Sequence, residues 1–278
     1  MVENKVSIRE LKRSLSKECS ARQREFIQSH IRQKRSVRFF QISIFFTFLA
    51  VWEIVARTGA VDPFVFSSPS RMVSCFADLS ADGSIYYHIG ITLLETFVSF
   101  FFIMFFGIAV AVLLWWNETV AKVCEPYLVV LNSLPKTALA PVFIVWLGNN
   151  MKTIIVAAVS VAVFGSIITL HTAFCSVEEE KIKLIRTLGG RRSDILKYVV
   201  LPGNVHTIVS NMKVNIGLSL VGVIIGEFLA ANAGLGYLIV YGSQVFKLDY
   251  VILSIVILCI VATGLYKGLE AVEKYFYK

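Results

Sequence analysis

Long uncharged runs alternate with polar segments along the chain. Residues 96–116 and residues 153–175 contain no Asp, Glu, Lys or Arg. A run of about 20 apolar residues is long enough to cross a bilayer as a helix. The backbone polar groups of such a span must be satisfied within it, which favours helices over isolated strands. The pattern therefore predicts an all-α integral membrane protein.

Six segments are apolar enough to be predicted as transmembrane helices. They cover residues 39–56, 91–116, 124–147, 152–175, 209–230 and 250–266. The third contains Pro135 and Pro141, which are expected to kink it because proline removes a backbone donor. A short surface helix is predicted over residues 69–79, with a proline at its start. The glycine-rich stretch 233–242 is expected to lead into a loop before the sixth span.

Composition supports membrane insertion and gives no sign of catalysis. The chain is 56% hydrophobic and 17% charged, whereas a soluble domain of this length carries more charge. Its five cysteines have neither CxxC nor metal-ligand spacing, so we expect no metal, cofactor or disulfide. We expect no carboxylates paired at a depth that would support catalysis, and no Ser/His/Asp arrangement.

The placement of the basic residues predicts the topology. Residues 1–38 hold eleven Lys or Arg, and seven more lie between Lys181 and Lys213. Together with Lys122 and three in the tail, 22 Lys or Arg residues lie on one side of the six predicted spans, and four lie on the other side. The positive-inside rule then places both termini in the cytoplasm. Residues 1–38 are interpreted as a basic cytoplasmic arm; nucleic-acid binding is the less favoured alternative, and no cleavable signal peptide is indicated.

A polar, basic segment joins the fourth and fifth predicted spans. Its apolar residues recur at near-helical spacing among charges, and Gly189 and Gly190 divide it into two short amphipathic helices. Such a helix pair could dock into a groove on a partner protein. It could equally lie at the lipid headgroups, with its Lys and Arg near phosphate.

This segment resembles the cytoplasmic signature loop of binding-protein-dependent ABC importer permeases. That signature is Glu-Ala-Ala, three residues, Gly, nine residues, then Ile-x-Leu-Pro. The residues that carry the resemblance are Gly189, Val199, Leu201 and Pro202. Residues 186–189 resemble the nitrate/sulfonate/taurine branch, while residues 183–185 read Lys-Leu-Ile where Glu-Ala-Ala is usual.

Three further stretches resemble the same branch. They are residues 134–141 with 146–148, residues 226–228 with 234–239, and residues 92–93 with Phe100. The resemblance covers roughly residues 62–275 and implies a type I ABC importer (MetI-like) permease fold: six transmembrane helices with a cytoplasmic coupling-helix loop. It implies a first helix and external loop over residues 39–85 and a permease domain over residues 86–274.

The resemblance also implies partners and a location. The chain would pair with a second permease copy as a homodimer in a bacterial cell membrane, in contact with lipid and not with nucleic acid. An extracytoplasmic solute-binding protein would deliver a sulfonate, taurine, nitrate or vitamin-precursor-like solute. ABC ATPase subunits would bind the coupling loop at Arg186, Leu188, Gly189, Gly190, Val199, Leu201 and Pro202. No GxxxxGK[ST] loop occurs in the chain, so ATP is expected on a separate subunit.

Four residues are candidates for a pore or gate: Pro135, Lys136, Pro141 and Glu227. Lys136 either faces the pore, where it would favour an anionic substrate, or extends to the interface. Glu227 is either a gate or solvated at a span end, and Glu95 is expected to be solvated. An ion-coupled secondary transporter and a polytopic membrane enzyme are the rival functions, although no inverted repeat of the former class is visible.

Overall fold

The computed structural model describes residues 21–59, 61 and 66–276, and its regular elements over those ranges are helices. The chain divides into two compact units, Met1–Arg71 and Met72–Lys278. The boundaries proposed at residues 38 and 85 stay predictions. Residues 1–20 of the basic arm lie outside the described part of the chain.

The first unit is dominated by one long helix, α1, which covers Ala21–Arg57. The expected junction between the arm and the first span lies inside this helix, so its basic and apolar parts are continuous. Its stretch Gln28–Arg57 is apolar and long enough to cross a membrane. Near its end, the Glu53 carboxylate accepts hydrogen bonds from the backbone N–H and the hydroxyl of Ser70, at 3.1 and 2.8 Å.

The remaining helices follow in chain order. They are α2 (Pro69–Ala81), α3 (Ser84–Trp116), α4 (Glu118–Ser133), α5 (Lys136–Leu147), α6 (Met151–Cys175), α7 (Glu179–Thr187), α8 (Arg192–Ile195), a π-helical turn (Leu196–Val200), α9 (Leu201–Gly203), α10 (Val205–Ala230), α11 (Leu235–Gln244) and α12 (Leu248–Phe276). The predicted helix over residues 69–79 is confirmed as α2.

Among the described residues, five helices are long and apolar enough to span a membrane. They are α1, α3, α6, α10 and α12. The helices α4 and α5 make a sixth span if they count as one, but they meet at 94°. The predicted third span is therefore wrong as a single kinked helix. The chain leaves the helix after Ser133 and resumes at Lys136, with Pro135 at the break, whereas Pro141 lies inside α5.

Small residues bring α3, α6 and α10 together in the core of the second unit. A Cβ added at Gly222 on α10 would lie 2.6 Å from the Cα of Ala158 on α6. At Gly107 on α3, it would lie 2.6 Å from the hydroxyl oxygen of Ser166. Close approach through small residues is typical of membrane helix pairs. Beside this contact, the amide of Asn211 donates to the Ser166 hydroxyl at 2.7 Å, which satisfies two buried polar groups.

The glycine-rich stretch after α10 forms a helix, α11, and then leads into the short loop expected before the last span, at residues 245–247. Gly234 precedes it with a φ of 116°, which lets the chain reverse direction. Leu235 and Leu238 of α11 are buried in a cluster with Leu253 and Ile257 of α12. Tertiary packing thus stabilises a helix that its residues would not favour in isolation.

Candidate functional site

The segment between α6 and α10, residues 176–204, has the two short helices that its sequence predicts. The turn between them depends on both glycines. Gly189 has a φ of 82°, in the left-handed region, and its N–H donates to the carbonyl of Arg186 at 3.0 Å. The N–H of Gly190 donates to the carbonyl of Ile185 at 2.9 Å, and a Cβ there would overlap that carbonyl and side chain.

One face of this segment is anchored to the spans and the other is uncovered. Ile195 and Val200 are buried with Leu170 and Phe174 of α6. Leu184 and Leu188 are 60% and 75% exposed, beside charged neighbours. An apolar patch set among charges on an anchored helix pair is suited to docking a protein partner.

The seven predicted coupling residues are distributed over both sides of this segment. Arg186, Leu188, Gly189 and Pro202 are exposed, whereas Gly190, Val199 and Leu201 are half-buried. Their assignment to coupling stays a prediction.

A further contact, which the sequence did not reveal, ties the segment to α3. The guanidinium of Arg192 lies 5.3 Å from the ring centroid of Trp115. Its Nη2 also donates to the Trp115 carbonyl oxygen at 3.0 Å. A cation at a helix C-terminus and over an indole is doubly stabilised. Arg192 therefore joins the start of α8 to the end of α3.

A second candidate site lies at the opposite end of α10, about 33 Å from the helix start by helical rise. Glu227 is 1% exposed there. Its carboxylate accepts from the Thr92 hydroxyl at 2.7 Å and from the N–H of Gly236 at 2.5 Å. The Thr92 hydroxyl oxygen accepts from the N–H of Leu235 at 2.8 Å. Glu227 and Thr92 therefore cap the N-terminus of α11, where unpaired N–H groups favour an anion.

Glycine is required where α11 meets this carboxylate. A Cβ on Gly236 would lie 2.7 Å from Oε2 of Glu227, and one on Gly234 would overlap the carboxyl group. The N–H of Gly234 donates to Nδ1 of His88 at 3.0 Å. The His88 ring also stacks on Tyr237, with centroids 5.9 Å apart. These contacts join α3, α10 and α11 into one polar cluster, which we call the Glu227 cluster: His88, Thr92, Glu95, Glu227, Gly234, Gly236 and Tyr237.

Glu95 corrects one of the expectations drawn from the sequence. It is 2% exposed rather than solvated, and it lies one helical turn along α3 from Thr92, whose hydroxyl donates to Glu227. Oε2 of Glu95 has no hydrogen-bond partner. The sequence held a signal, since Thr92, Glu95, Thr96 and Ser99 recur at i, i+3, i+4 and i+7 on an otherwise apolar helix.

The other pore candidates lie at the break between α4 and α5, where Pro135 and Lys136 meet, and inside α5, at Pro141. Nζ of Lys136 donates to the carbonyl oxygen of Leu131 at 2.9 Å and to that of Asn132. These carbonyls lie in the last turn of α4, where the break leaves them without helical partners. The structure thus gives Lys136 a local partner that neither sequence interpretation anticipated. Both Pro135, between the two helices, and Pro141, inside α5, are exposed.

Comparisons with known proteins agree with this architecture. Residues 103–271 match the family described as binding-protein-dependent transport system inner membrane component. The formylaminopyrimidine transport permease protein ThiX of Halalkalibacterium halodurans is 28% identical over 205 residues, which cover 73% of this chain and 81% of ThiX. The taurine transport system permease protein TauC of Escherichia coli is 23% identical over 232 residues, which cover 81% and 84% of the two chains.

A solved structure shares the fold. A chain of the inward-facing MetNI methionine ABC transporter superposes with a TM-score of 0.60 and 20% identity. The superposition covers 69% of this chain and 95% of that one.

Proposed function

Because the chain belongs to the family of inner membrane components of binding-protein-dependent transport systems, we propose that two copies of it form the pathway of a solute importer. The chain is the permease subunit of an ATP-driven ABC importer, and ATP is hydrolysed on separate subunits. This family membership sets aside the secondary transporter and the membrane enzyme.

The observation that carries the proposal is the anchored, half-uncovered 176–204 segment. We propose that ABC ATPase subunits dock on it, with Leu188 and Arg186 on the exposed face. The buried Ile195 and Val200 then transmit the movement of the ATPase to α6. The 22-to-4 distribution of basic residues supports a cytoplasmic location for this segment and for both termini.

The proposed cargo is a small polar organic solute, delivered by an extracytoplasmic solute-binding protein. Two relatives support this class, because their names specify formylaminopyrimidine and taurine. A second permease copy is proposed as well, with the exposed apolar side chains of α5 as its contact surface: Val145 and Trp146 are 82% and 73% exposed.

Docking is tested by co-purification with the ATPase subunits of the same organism. Leu188→Glu places a charge in the exposed apolar patch, and we expect it to abolish recovery of the ATPase while the variant remains folded. Asn149→Glu is the matched control, because Asn149 is exposed at the opposite end of α6 from the segment. Equal recovery of ATPase with both variants would contradict the docking site, and transport that persists without any ATPase would contradict the function.

A further inference from the structure

The pair of buried carboxyls Glu95 and Glu227 requires a proton. Both are buried, at 2% and 1% exposure, and Glu227 accepts a hydrogen bond from the hydroxyl of Thr92, which lies one helical turn before Glu95 on α3. Two ionised carboxylates repel one another in a low-dielectric region, and neither has a proton to donate to the other. One of the two groups must therefore be a carboxylic acid.

The surroundings show which of the two groups holds the proton. Glu227 accepts from the Thr92 hydroxyl and from the N–H of Gly236, and it faces the N-terminus of α11. Those donors stabilise an anion. Glu95 receives none of them, and its Oε2 has no partner. The acid is thus Glu95 and the anion is Glu227.

We propose that Glu95 and Glu227 form a buried proton-binding site, in which one proton held on Glu95 latches the N-terminus of α11 to α3 and α10. This inference concerns the chain alone and goes beyond the proposed function. When the proton is lost, two negative charges are left close together in a low-dielectric region, which is strongly unfavourable. The latch is therefore present at low pH and weakens as the pH rises.

The side chains that face Glu95 and Glu227 from the packed helices do not neutralise the charge of the pair. The proton on Glu95 has that role. On α3 and α11 those side chains are His88 and Tyr237, which stack on one another. From α6, Ile154 packs against Gly226 beside the pair, and α12 contributes Leu253 and Ile257 to the core around α11. Among the described residues, no lysine or arginine forms an ion pair with either carboxyl.

His88 is the rival titrating group, because a doubly protonated ring could not accept from the N–H of Gly234. It would act in the opposite direction, since protonation would weaken its contact at low pH. His88→Asn keeps an acceptor oxygen and removes the titration, so it separates the two effects.

The test measures thermal unfolding of the purified full-length chain in detergent from about pH 6 to about pH 10. Glu95→Gln retains a donor toward Glu227 but has no proton to lose. We expect the Tm of the wild type to fall, relative to Glu95→Gln, by at least about 3 °C across this range.

Ser99→Ala is the matched control: Ser99 is buried one turn further along the same face of α3, with a hydroxyl that lacks a partner, and its curve should follow the wild type. The His88→Asn curve should also follow the wild type at alkaline pH.

Infrared spectroscopy supplies a direct second measurement. The wild type should show the carbonyl band of a buried carboxylic acid at neutral pH, and Glu95→Gln should lack it. Parallel pH curves for the wild type and Glu95→Gln, or an infrared band that survives the substitution, would overturn the proposal. If Glu95→Gln does not fold, the pH titration of the infrared band in the wild type decides the question: a band that is absent at neutral pH overturns the proposal.

Discussion

The guanidinium of Arg192 lies 5.3 Å from the indole centroid of Trp115 and also donates to the Trp115 carbonyl oxygen at 3.0 Å. These two interactions join the first turn of α8 to the last turn of α3. If ATPase subunits dock on residues 176–204, this contact is one route by which their movement reaches a membrane span. It is also the contact whose loss should separate ATP hydrolysis from transport.

Arg192→Ala should weaken the attachment of α8 to α3 by about 1 kcal/mol, after allowance for the exposure of the pair. We expect ATPase subunits to bind this variant and hydrolyse ATP, while solute transport per ATP falls. The measurement is transport and hydrolysis in the same proteoliposomes. Arg192→Lys is the matched comparison: it keeps the charge but loses the planar guanidinium, so it should recover transport only in part. Unchanged transport per ATP in Arg192→Ala would remove Arg192 from the coupling route.

The two glycines of the turn between α7 and α8 should differ in their tolerance of a methyl group. Gly190→Ala places a Cβ 2.9 Å from the Ile185 carbonyl oxygen and should lower the free energy of unfolding by about 1–3 kcal/mol. Gly189→Ala meets no atom within 4 Å but must adopt a φ of 82°, which costs about 1–2 kcal/mol.

Gly203→Ala is the control for this pair. Gly203 has open space around its Cα and no left-handed backbone, so its substitution should change stability by less than about 0.5 kcal/mol. Thermal unfolding of the three variants in detergent gives the order. A Gly190→Ala variant as stable as Gly203→Ala would show that the Ile185 contact does not constrain the turn.

The sequence predicts the elements that depend on local pattern. The long apolar runs become α3, α6, α10 and α12, and Gly189 and Gly190 mark the turn between two short helices. The polar residues on one face of α3 were also visible in the sequence. Glu227 lies 132 positions after Glu95, however, and residue spacing along the chain does not indicate that the two meet.

Elements that depend on tertiary capping are not predictable in this way. A proline in an apolar run predicts that the helix is bent or broken there. The 94° angle at Pro135 also depends on which group donates to the carbonyl oxygens that the break leaves free. Here that group is Lys136. In the same way, α11 is too short to be stable alone. It forms because Glu227 and Thr92 accept hydrogen bonds from the first backbone N–H groups of α11.

Cys75 on α2 should react slowly with thiol reagents. Burial, with a smaller contribution from the nearby Asp249 and Asp78 carboxylates, raises the pKa of its thiol to about 11. Since the thiolate is the reactive form, a pKa about two units above the ordinary value lowers the reactive fraction near neutral pH by about 100-fold.

The measurement is the rate of maleimide modification at Cys75, followed by mass spectrometry of the peptide. The rate should keep rising with pH up to about pH 11, because the thiolate fraction grows until the pH passes the pKa. Unfolding in detergent at high temperature should restore the rate of an ordinary cysteine. A native rate equal to the unfolded rate would show that Cys75 is not enclosed by the core around α11 and α12.

Lys136 gives a prediction that separates a structural role from a role in substrate selection. Its ammonium donates to carbonyl oxygens at the end of α4, a position where a cation stabilises a helix by about 0.5–1 kcal/mol. Lys136→Ala should therefore lower the Tm, while Lys136→Arg should keep most of the stability because it retains the charge and several donors.

If Lys136 also faces the pathway, Lys136→Ala should change the ratio of anionic to neutral solutes transported, measured in proteoliposomes with an excess of binding protein. A lower Tm with an unchanged solute ratio would limit Lys136 to capping α4, and an unchanged Tm would exclude the capping role as well.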